Sequence, residues 1–448
     1  MSLLKSGSLT LAAGLSQQVF AMLLFLLAVR WLSPADLGQW AMALTLGSLV
    51  EVARMGLVQN ALIHFLHKSP EDQVRLWTTA VVLSITASLL GGLVITIFAI
   101  GLQSVWEMPQ LPLLCAGYTL VVLFFGLVRL RDTKYAAQNQ FRPAVVSQIM
   151  FGFLLLSMLT AWYFTGLPLT AGHLMVLQIA AAFVNFASLY ILDGDCRSFR
   201  FPGSQHWEKF WEYGRYGLGT NLFSTLLQRL DMLLLGVFAG PATVAAYNVA
   251  SRFITYLDWP LNSLSTALFP GLAAALPHQD AQQKKQLYNH TIATLLAVTL
   301  PLLIFTFLAA PWLVEWLASG KYSEAAPVLR LLLLAGLFKP FGRALGLVLD
   351  ASGTPQWNFR ILLLSALITL IANLILIPAA GLTGAALAAT GAITFTIVLS
   401  QWLFKKHWSL RLLLVFRHFL HLYGKLLYRV LEFLETPFIL KVIKKTQL

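Results

Sequence analysis

The sequence predicts an all-α polytopic membrane protein with about twelve transmembrane helices in two six-helix lobes. Three observations predict this fold class. The 448 residues are 58% hydrophobic and 11% charged, with a mean hydropathy of +0.75, whereas soluble domains carry roughly 25% charged residues. Apolar stretches long enough to cross a bilayer recur along the whole chain. Short sequence patterns near the first hairpin return in the second half, which indicates an internal repeat.

Apolar stretches set the positions of the spans, because a helix needs about 20 apolar residues to cross the hydrocarbon core. Irregular backbone cannot face lipid, so each stretch is expected to be helical. The first stretch lacks a small-residue cleavage site, and we interpret it as a span rather than a signal peptide. The predicted spans are residues 9–31, 37–57, 77–101, 112–130, 143–164, 171–192, 214–238, 244–269, 289–313, 326–349, 359–378 and 381–404.

Basic residues predict the orientation. Connections that follow odd-numbered spans carry almost no basic residues, and 165–170 and 239–243 carry no charge. Connections that follow even-numbered spans hold the loop cations, among them Lys68, Arg142 and Arg197. The positive-inside rule therefore places both termini in the cytoplasm. In this setting the net charge of +13 indicates contact with anionic inner-leaflet lipid rather than with nucleic acid.

The repeat has an offset near 207 residues. Each half would hold six spans, so both halves enter the membrane from the same side, as in two-lobed carriers with parallel repeats. The predicted domains are an N-terminal lobe (1–200), a C-terminal lobe (201–408) and a basic amphipathic cytoplasmic tail (409–448). The matched pairs are Pro34 with Pro241, Leu37 with Val244, Trp40 with Tyr247, and Glu51 with Asp258.

In the tail, polar residues recur at steps of three and four residues among apolar residues. This pattern is typical of an amphipathic helix that lies on the membrane surface, and the tail finishes in Lys441, Lys444 and Lys445. A thirteenth and a fourteenth span are the alternative for this segment.

Several motifs, in order, resemble one transporter family. They are Val29–Gly38 at the first hairpin, Arg229–Gly236 with Tyr247–Phe253 in spans seven and eight, and Ala351–Gly353, Asn373–Pro378 and Gly381–Ala386 near spans ten to twelve. Together they resemble the polysaccharide-export flippases, the O-antigen and exopolysaccharide branch of the multidrug/oligosaccharidyl-lipid/polysaccharide (MOP) superfamily. The likeness covers about residues 5–405 and leaves out the tail.

The resemblance implies a function in the bacterial inner membrane. Such proteins flip polyprenyl-pyrophosphate-linked oligosaccharide from the cytoplasmic to the outer leaflet by alternating access, for O-antigen or exopolysaccharide biosynthesis. The expected protein is therefore a transporter and not an enzyme, with no cofactor or metal, and a polysaccharide polymerase is a possible partner. A coupling cation, proton or sodium, is a further expected partner.

Charged residues within the spans are the candidate site residues, because a charge at mid-bilayer costs at least about 2.5–3.5 kcal/mol. Guanidinium and ammonium groups suit a diphosphate, whose oxygens they bind with charge-assisted hydrogen bonds. Alternatively, these charges only join helices together. The candidate substrate-binding cations are Arg54, Arg229, Arg252, Lys339 and Arg343.

The intramembrane acids are candidates for cation coupling or ion pairing, and they are Glu51, Asp231, Asp258 and Asp350. Asp231 and Arg252 are predicted to pair, since both lie roughly 11–12 Å below the outer turn. The repeat-related Glu51 and Asp258 are candidates to titrate or to hold a coupling cation. Alternatively, Glu51 pairs with Arg54, three residues further along its helix.

Two other function classes stay open. A cation-coupled multidrug exporter of the same superfamily would share the two lobes, although drug cations favour an acid-rich cavity and the candidate cavity is expected to be net basic. A membrane-embedded polysaccharide polymerase or ligase usually needs a large outer loop, and the expected outer loops are short. An ATP-driven mechanism on this chain is excluded, because no Gly-x-x-x-x-Gly-Lys-Ser/Thr loop occurs in the sequence.

Overall fold

The computed structural model describes residues 3–68, 72–138, 140, 142–192, 200, 204–405 and 408–435. The regular structure in these ranges is helical, with no strand, which confirms the all-α class. The exact number of spans and the two six-helix lobes stay predictions. The helices are α1 Leu3–Trp31, α2 Pro34–Arg54, α3 Asn60–Lys68, α4 Gln73–Leu102, α5 Leu111–Ala137, α6 Arg142–Tyr163, α7 Ala171–Leu192, α8 Ser204–Ala275, α9 Ala281–Ala318, α10 Ala325–Gly336, α11 Lys339–Ala351, α12 Pro355–Leu403 and α13 Leu412–Glu435.

Nine helical stretches among the described residues are long and apolar enough to cross a membrane. The stretches in α8 and α12 are longer than one crossing needs. The 72 residues of α8 would form a straight helix about 108 Å long, whereas the hydrocarbon core is about 30 Å thick. Gly240 (φ 75°) and Gly381 (φ 52°) interrupt these two helices. Glycine adopts positive φ without a steric penalty, so both helices can bend there.

The break at Gly240 reverses the chain. Tyr247 Oη donates a hydrogen bond of 2.5 Å to the carboxylate of Asp231. Asn248 Nδ2 lies 3.9 Å from the sulfur of Met232. Both pairs are nearly symmetric about Gly240, as in a helical hairpin. The residues before and after the glycine therefore form two antiparallel helical segments.

The segment Pro34–Lys68 is one continuous helical path with a change of pitch. Ser33 caps its start by accepting a hydrogen bond from the backbone N–H of Asp36 at 3.1 Å. A π-helix, Met55–Gln59, joins α2 to α3. Gly56 lies directly against Gly217 of α8, where a Cβ on either residue would clash with the other's carbonyl. The missing side chains thus let the two backbones touch.

The chain forms two compact units. The first comprises Met1–Val249, Val314–Ser323 and Ile377–Leu382, and the second comprises Ala250–Leu313, Glu324–Leu376 and Thr383–Leu448. The first unit has a core of buried side chains that includes Trp77 and Phe210. The second has a core that includes Tyr288 and Leu345. The expected domains 1–200, 201–408 and 409–448 remain a prediction.

Helix α13, in the tail, packs lengthwise against α9. The backbone N–H of Arg411 donates to Asn289 Oδ1 at 2.8 Å, and Tyr423 Oη donates to the carbonyl of Ala297 at 2.6 Å. Pro301 has no N–H, so the Ala297 carbonyl has no partner within α9. Tyr423 supplies the missing donor.

This packing brings Tyr423 of the tail beside Ala297, a residue of a predicted span. Ala297 lies about 12 Å beyond the start of the predicted span 289–313, deeper than the ~5–10 Å typical of helices on the membrane surface. The described apolar part of the tail, Leu412–Gly424, is shorter than the nine stretches that could cross a membrane, and both interpretations of the tail stay predictions. The terminal cations Lys441, Lys444 and Lys445 lie outside the described residues, as does Arg197, and the cytoplasmic position of the termini stays a prediction.

Replacing Gly240 with alanine should destabilise the protein by about 1–3 kcal/mol, because a Cβ is strained at this backbone conformation. Thermal unfolding in detergent measures the change. The matched control is Gly219→Ala in the same helix, where a Cβ would meet open space. That change should be neutral or stabilising by up to about 1 kcal/mol. Equal unfolding temperatures for both variants would refute the hairpin.

Tyr423→Phe should cost about 1–3 kcal/mol, because it leaves the Ala297 carbonyl unpaired in an apolar setting. Tyr163→Phe is the control, since the Tyr163 ring is exposed and stacks on Trp31, and its hydroxyl has no hydrogen bond among the described residues. Protease cleavage in the linker between α12 and α13 reports detachment of α13. If Tyr423→Phe matches the wild type in stability and cleavage, α13 is not held by this bond.

Candidate substrate cavity

The second unit contains a cavity of about 600 Å³. Its walls come from the second half of α8, from α11 and from α12. Four of the candidate residues line it: Asp258, Lys339, Arg343 and Asp350. Asn358 of α12 completes the polar wall. The structure therefore brings together two predicted cations and two predicted acids from segments far apart in the sequence.

The sequence of α11 explains why its polar residues share one wall. Lys339, Arg343, Gly346 and Asp350 recur at steps of four, three and four residues, which places them on one helix face. Ala344, Leu345, Val348 and Leu349 are buried on the opposite side. Pro340 cannot donate to a preceding carbonyl, and α10 ends just before it, at Gly336. The break lets α11 start within the unit with Lys339 at the cavity.

Lys339 and Asp258 form an ion pair inside this cavity. The ammonium nitrogen lies 2.8 Å from Oδ1 and 2.6 Å from Oδ2 of the carboxylate. The two side chains remain 23% and 34% exposed, so the pair is open to a ligand. Sequence reasoning proposed both residues but did not pair them, because 81 positions separate them and only the packing of α8 on α11 joins them.

Asp350 is held by a residue that sequence reasoning missed. Asn358 Nδ2 donates to both carboxylate oxygens, at 3.1 and 3.0 Å. Asn358 carries no charge, so a search for intramembrane charges could not find it. Its position at the start of α12, eight residues after Asp350, was the only available signal.

Arg343 is exposed at the cavity wall. Within the described part of the chain it makes no ion pair or hydrogen bond. Among the described residues, the lining thus carries two cations and two carboxylates, so this wall is charge-balanced rather than net basic as expected. The difference arises because Asp258 already compensates Lys339. Arg343 is the cation on this wall that an anion can bind without displacing a partner.

In the first unit, the Arg229 side chain is exposed and has no hydrogen bond or ion pair with any residue that the structure describes. The neighbouring Asp231 accepts its hydrogen bond from Tyr247. The predicted pair between Asp231 and Arg252 stays a prediction. Arg252 is partly buried in the second half of α8.

Arg54 has a different environment. It is 1% exposed, and its guanidinium donates to Ser84 Oγ and to the carbonyl of Gly126, each at 3.3 Å. These contacts join α2 to α4 and α5. They agree with the alternative interpretation, in which the charges within the spans only join helices together. The Glu51 carboxylate makes no hydrogen bond or salt bridge within the described ranges, and it interacts with Arg54 only electrostatically, over a longer distance than a salt bridge. We leave Arg54 out of the proposed binding site.

Glu51 lines a smaller cavity of about 240 Å³ in the first unit. Tyr118, Gln148 and Gln178 are also in its wall, and no Lys or Arg is among the described residues that line it. The repeat-related acids Glu51 and Asp258 therefore each line a cavity in their own unit. The acid of the second unit has a cation beside it, and the acid of the first has neutral polar neighbours.

Comparison with known proteins places the chain in a family. Residues 26–327, more than half of the chain, match the family described as polysaccharide biosynthesis protein. The probable flippase AglR of Haloferax volcanii is 22% identical over 404 residues, 89% of this chain and 82% of that protein. The membrane protein MJ1068 of Methanocaldococcus jannaschii is 30% identical over 206 residues, which cover 43% of this chain and 38% of that protein. The chain thus matches less than half of the length of MJ1068.

A solved structure shows the same fold. The lipid II flippase MurJ in an inward closed conformation aligns with a TM-score of 0.71, at 14% identity, over 92% of this chain and 90% of MurJ. This chain is a multi-pass membrane protein that belongs to the polysaccharide biosynthesis protein family, which confirms the resemblance to polysaccharide-export proteins.

Proposed function

We propose that this protein flips a polyprenyl-pyrophosphate-linked oligosaccharide from the cytoplasmic to the outer leaflet of a bacterial inner membrane by alternating access. The product would serve O-antigen or exopolysaccharide biosynthesis, with a polysaccharide polymerase as a partner. The observation that carries the proposal is the cavity in the second unit, where Arg343, which has no partner among the described residues, shares one wall with the paired Lys339. Family membership supports a transporter rather than an enzyme.

The chemistry of the wall suits a diphosphate. Arg343 offers a planar set of N–H donors that can bind two phosphate oxygens at once, and Lys339 offers a second positive charge one helical turn away. Leaving water is costly for a diphosphate, and these donors offset that loss. The volume of about 600 Å³ lies within the ~300–1,000 Å³ usual for ligand sites.

Glu51 is our candidate for cation coupling. Asp231, Asp258 and Asp350 each have a hydrogen-bond or ion-pair partner, whereas the Glu51 carboxylate has none among the described residues. A proton or a sodium ion could therefore bind there without breaking a hydrogen bond or a salt bridge among the described residues, although either would weaken the electrostatic interaction of Glu51 with Arg54. The membrane potential is another possible energy source, since it favours outward movement of an anion by ~2.3 kcal/mol per charge per 100 mV.

The Glu51 cavity also favours a second candidate function, cation-coupled multidrug export. A carboxylate without a neighbouring lysine or arginine on the wall, beside aromatic rings such as Phe125 and Phe151, suits a lipophilic cation. The two functions predict different effects of the same substitutions. A flippase depends on Arg343, whereas an exporter depends on Glu51 and tolerates loss of Arg343.

Arg343→Gln should lower the flipping rate by about tenfold or more, because a charge-assisted hydrogen bond contributes about 1.5–3 kcal/mol. The assay follows a fluorescent lipid-linked oligosaccharide that appears on the far leaflet of proteoliposomes. Arg360→Gln is the matched control, since Arg360 is exposed, stacks on Trp357 and does not line the cavity. A wild-type rate in Arg343→Gln, with efflux of ethidium by the same protein, would favour the exporter.

Glu51→Gln should remove the dependence of flipping on pH or on sodium, because the amide cannot take up a proton or balance a cation. Rates are measured between pH 5.5 and 8.5, with sodium and with potassium. Glu107→Gln changes an exposed acid in a loop outside both cavities and should keep the wild-type profile. Identical profiles for Glu51→Gln and the wild type would rule out coupling through Glu51.

A further inference from the structure

The ion pair in the cavity of the second unit has a role that family membership does not assign. We propose that Asp258 is an internal competitor for the substrate anion: it occupies the ammonium group of Lys339 in the empty cavity and releases it to an entering diphosphate. The inference rests on the proposed function and deepens it, since it identifies Asp258 as a residue that sets substrate affinity.

The geometry of the pair supports exchange. Both oxygens of Asp258 lie within 2.8 Å of the single Lys339 nitrogen, so the carboxylate occupies this donor much as two oxygens of a phosphate would. The partial exposure of both side chains leaves a path for an anion. Replacing one oxygen anion by another at the same nitrogen creates no unpaired cation at any stage.

Arg343 provides the first contact in this exchange. It lies one turn beyond Lys339 on the same face of α11, with no partner among the described residues. An anion can bind it while the Lys339–Asp258 pair is intact. The second contact then requires Lys339 to leave Asp258, and the released carboxylate repels the bound anion. Asp258 thereby keeps the affinity moderate, which a carrier needs if its substrate is to leave on the far side.

Asp350 is a natural control. It contributes the same charge to the same cavity wall, but its carboxylate is held by Asn358 rather than by Lys339. A general effect of negative charge on anion binding would be similar for both acids. Direct competition for Lys339 is specific to Asp258.

The test measures binding of inorganic pyrophosphate to the purified full-length protein in nanodiscs by isothermal titration calorimetry. We expect Asp258→Asn to bind about tenfold more tightly than the wild type, and Asp350→Asn to stay within about threefold. In the Lys339→Gln background, Asp258→Asn should change the affinity by less than about twofold. Asp258→Ser should repeat this pattern, and thermal unfolding without ligand checks that each variant is folded.

Each outcome is decisive. Unchanged or weaker binding in both Asp258→Asn and Asp258→Ser overturns the exchange. An equal gain in Asp350→Asn, or a gain that persists without Lys339, also overturns it, because the effect would then be one of general charge. These results leave the proposed anion cavity intact. If neither the wild type nor any variant binds pyrophosphate, both the exchange and the anion cavity are wrong.

Discussion

The requirement that backbone polar groups be hydrogen-bonded inside the hydrocarbon region determines most of this structure. Water is not available there, so a chain of this composition forms helices. The requirement is most visible where a carbonyl group has no hydrogen-bond donor within its own helix. Pro301 leaves the carbonyl of Ala297 without a partner in α9, and Tyr423 of α13 donates to it. One missing N–H in a spanning helix thereby ties the tail to the membrane-embedded part of its unit.

Charged side chains in an apolar environment also need a partner. Whether a protein group supplies that partner distinguishes charges that join helices from charges that can bind a ligand. Arg54 is buried and bonded to α4 and α5, and Asp231 is bonded by Tyr247. Such contacts stabilise helix packing, although Nε and Nη2 of Arg54 are buried without a hydrogen-bond partner among the described residues. Arg343 differs, because an exposed guanidinium on a cavity wall is retained although no described protein group binds it. An unpaired charge in an apolar protein is expensive, so binding of an anion is a reasonable function for it.

The predicted internal repeat pairs two acids, Glu51 and Asp258, whose surroundings differ in chemistry. Glu51 and Asp258 each line a cavity of their own unit. In the second unit α11 adds Lys339 and Arg343, and the cavity can exchange one anion for another. In the first unit the acid has amide and phenol neighbours, which suits a cation or a proton. Under the proposed function, these different neighbours would give the two cavities opposite preferences for charge.

Composition and hydrophobic length determined the class of the protein, because lipid allows few alternatives to apolar helices. The spacing of Lys339, Arg343 and Asp350 also predicted a shared face, since helical periodicity alone places them there. Tertiary structure decided what those charges do. The packing of α8 on α11 brings Asp258 to Lys339, and the neutral Asn358 holds Asp350, so a wall expected to be basic is charge-balanced. A single sequence shows no periodic signal for a partner that lies 81 positions away, as Asp258 does from Lys339. It shows none for a partner without charge either, such as Asn358.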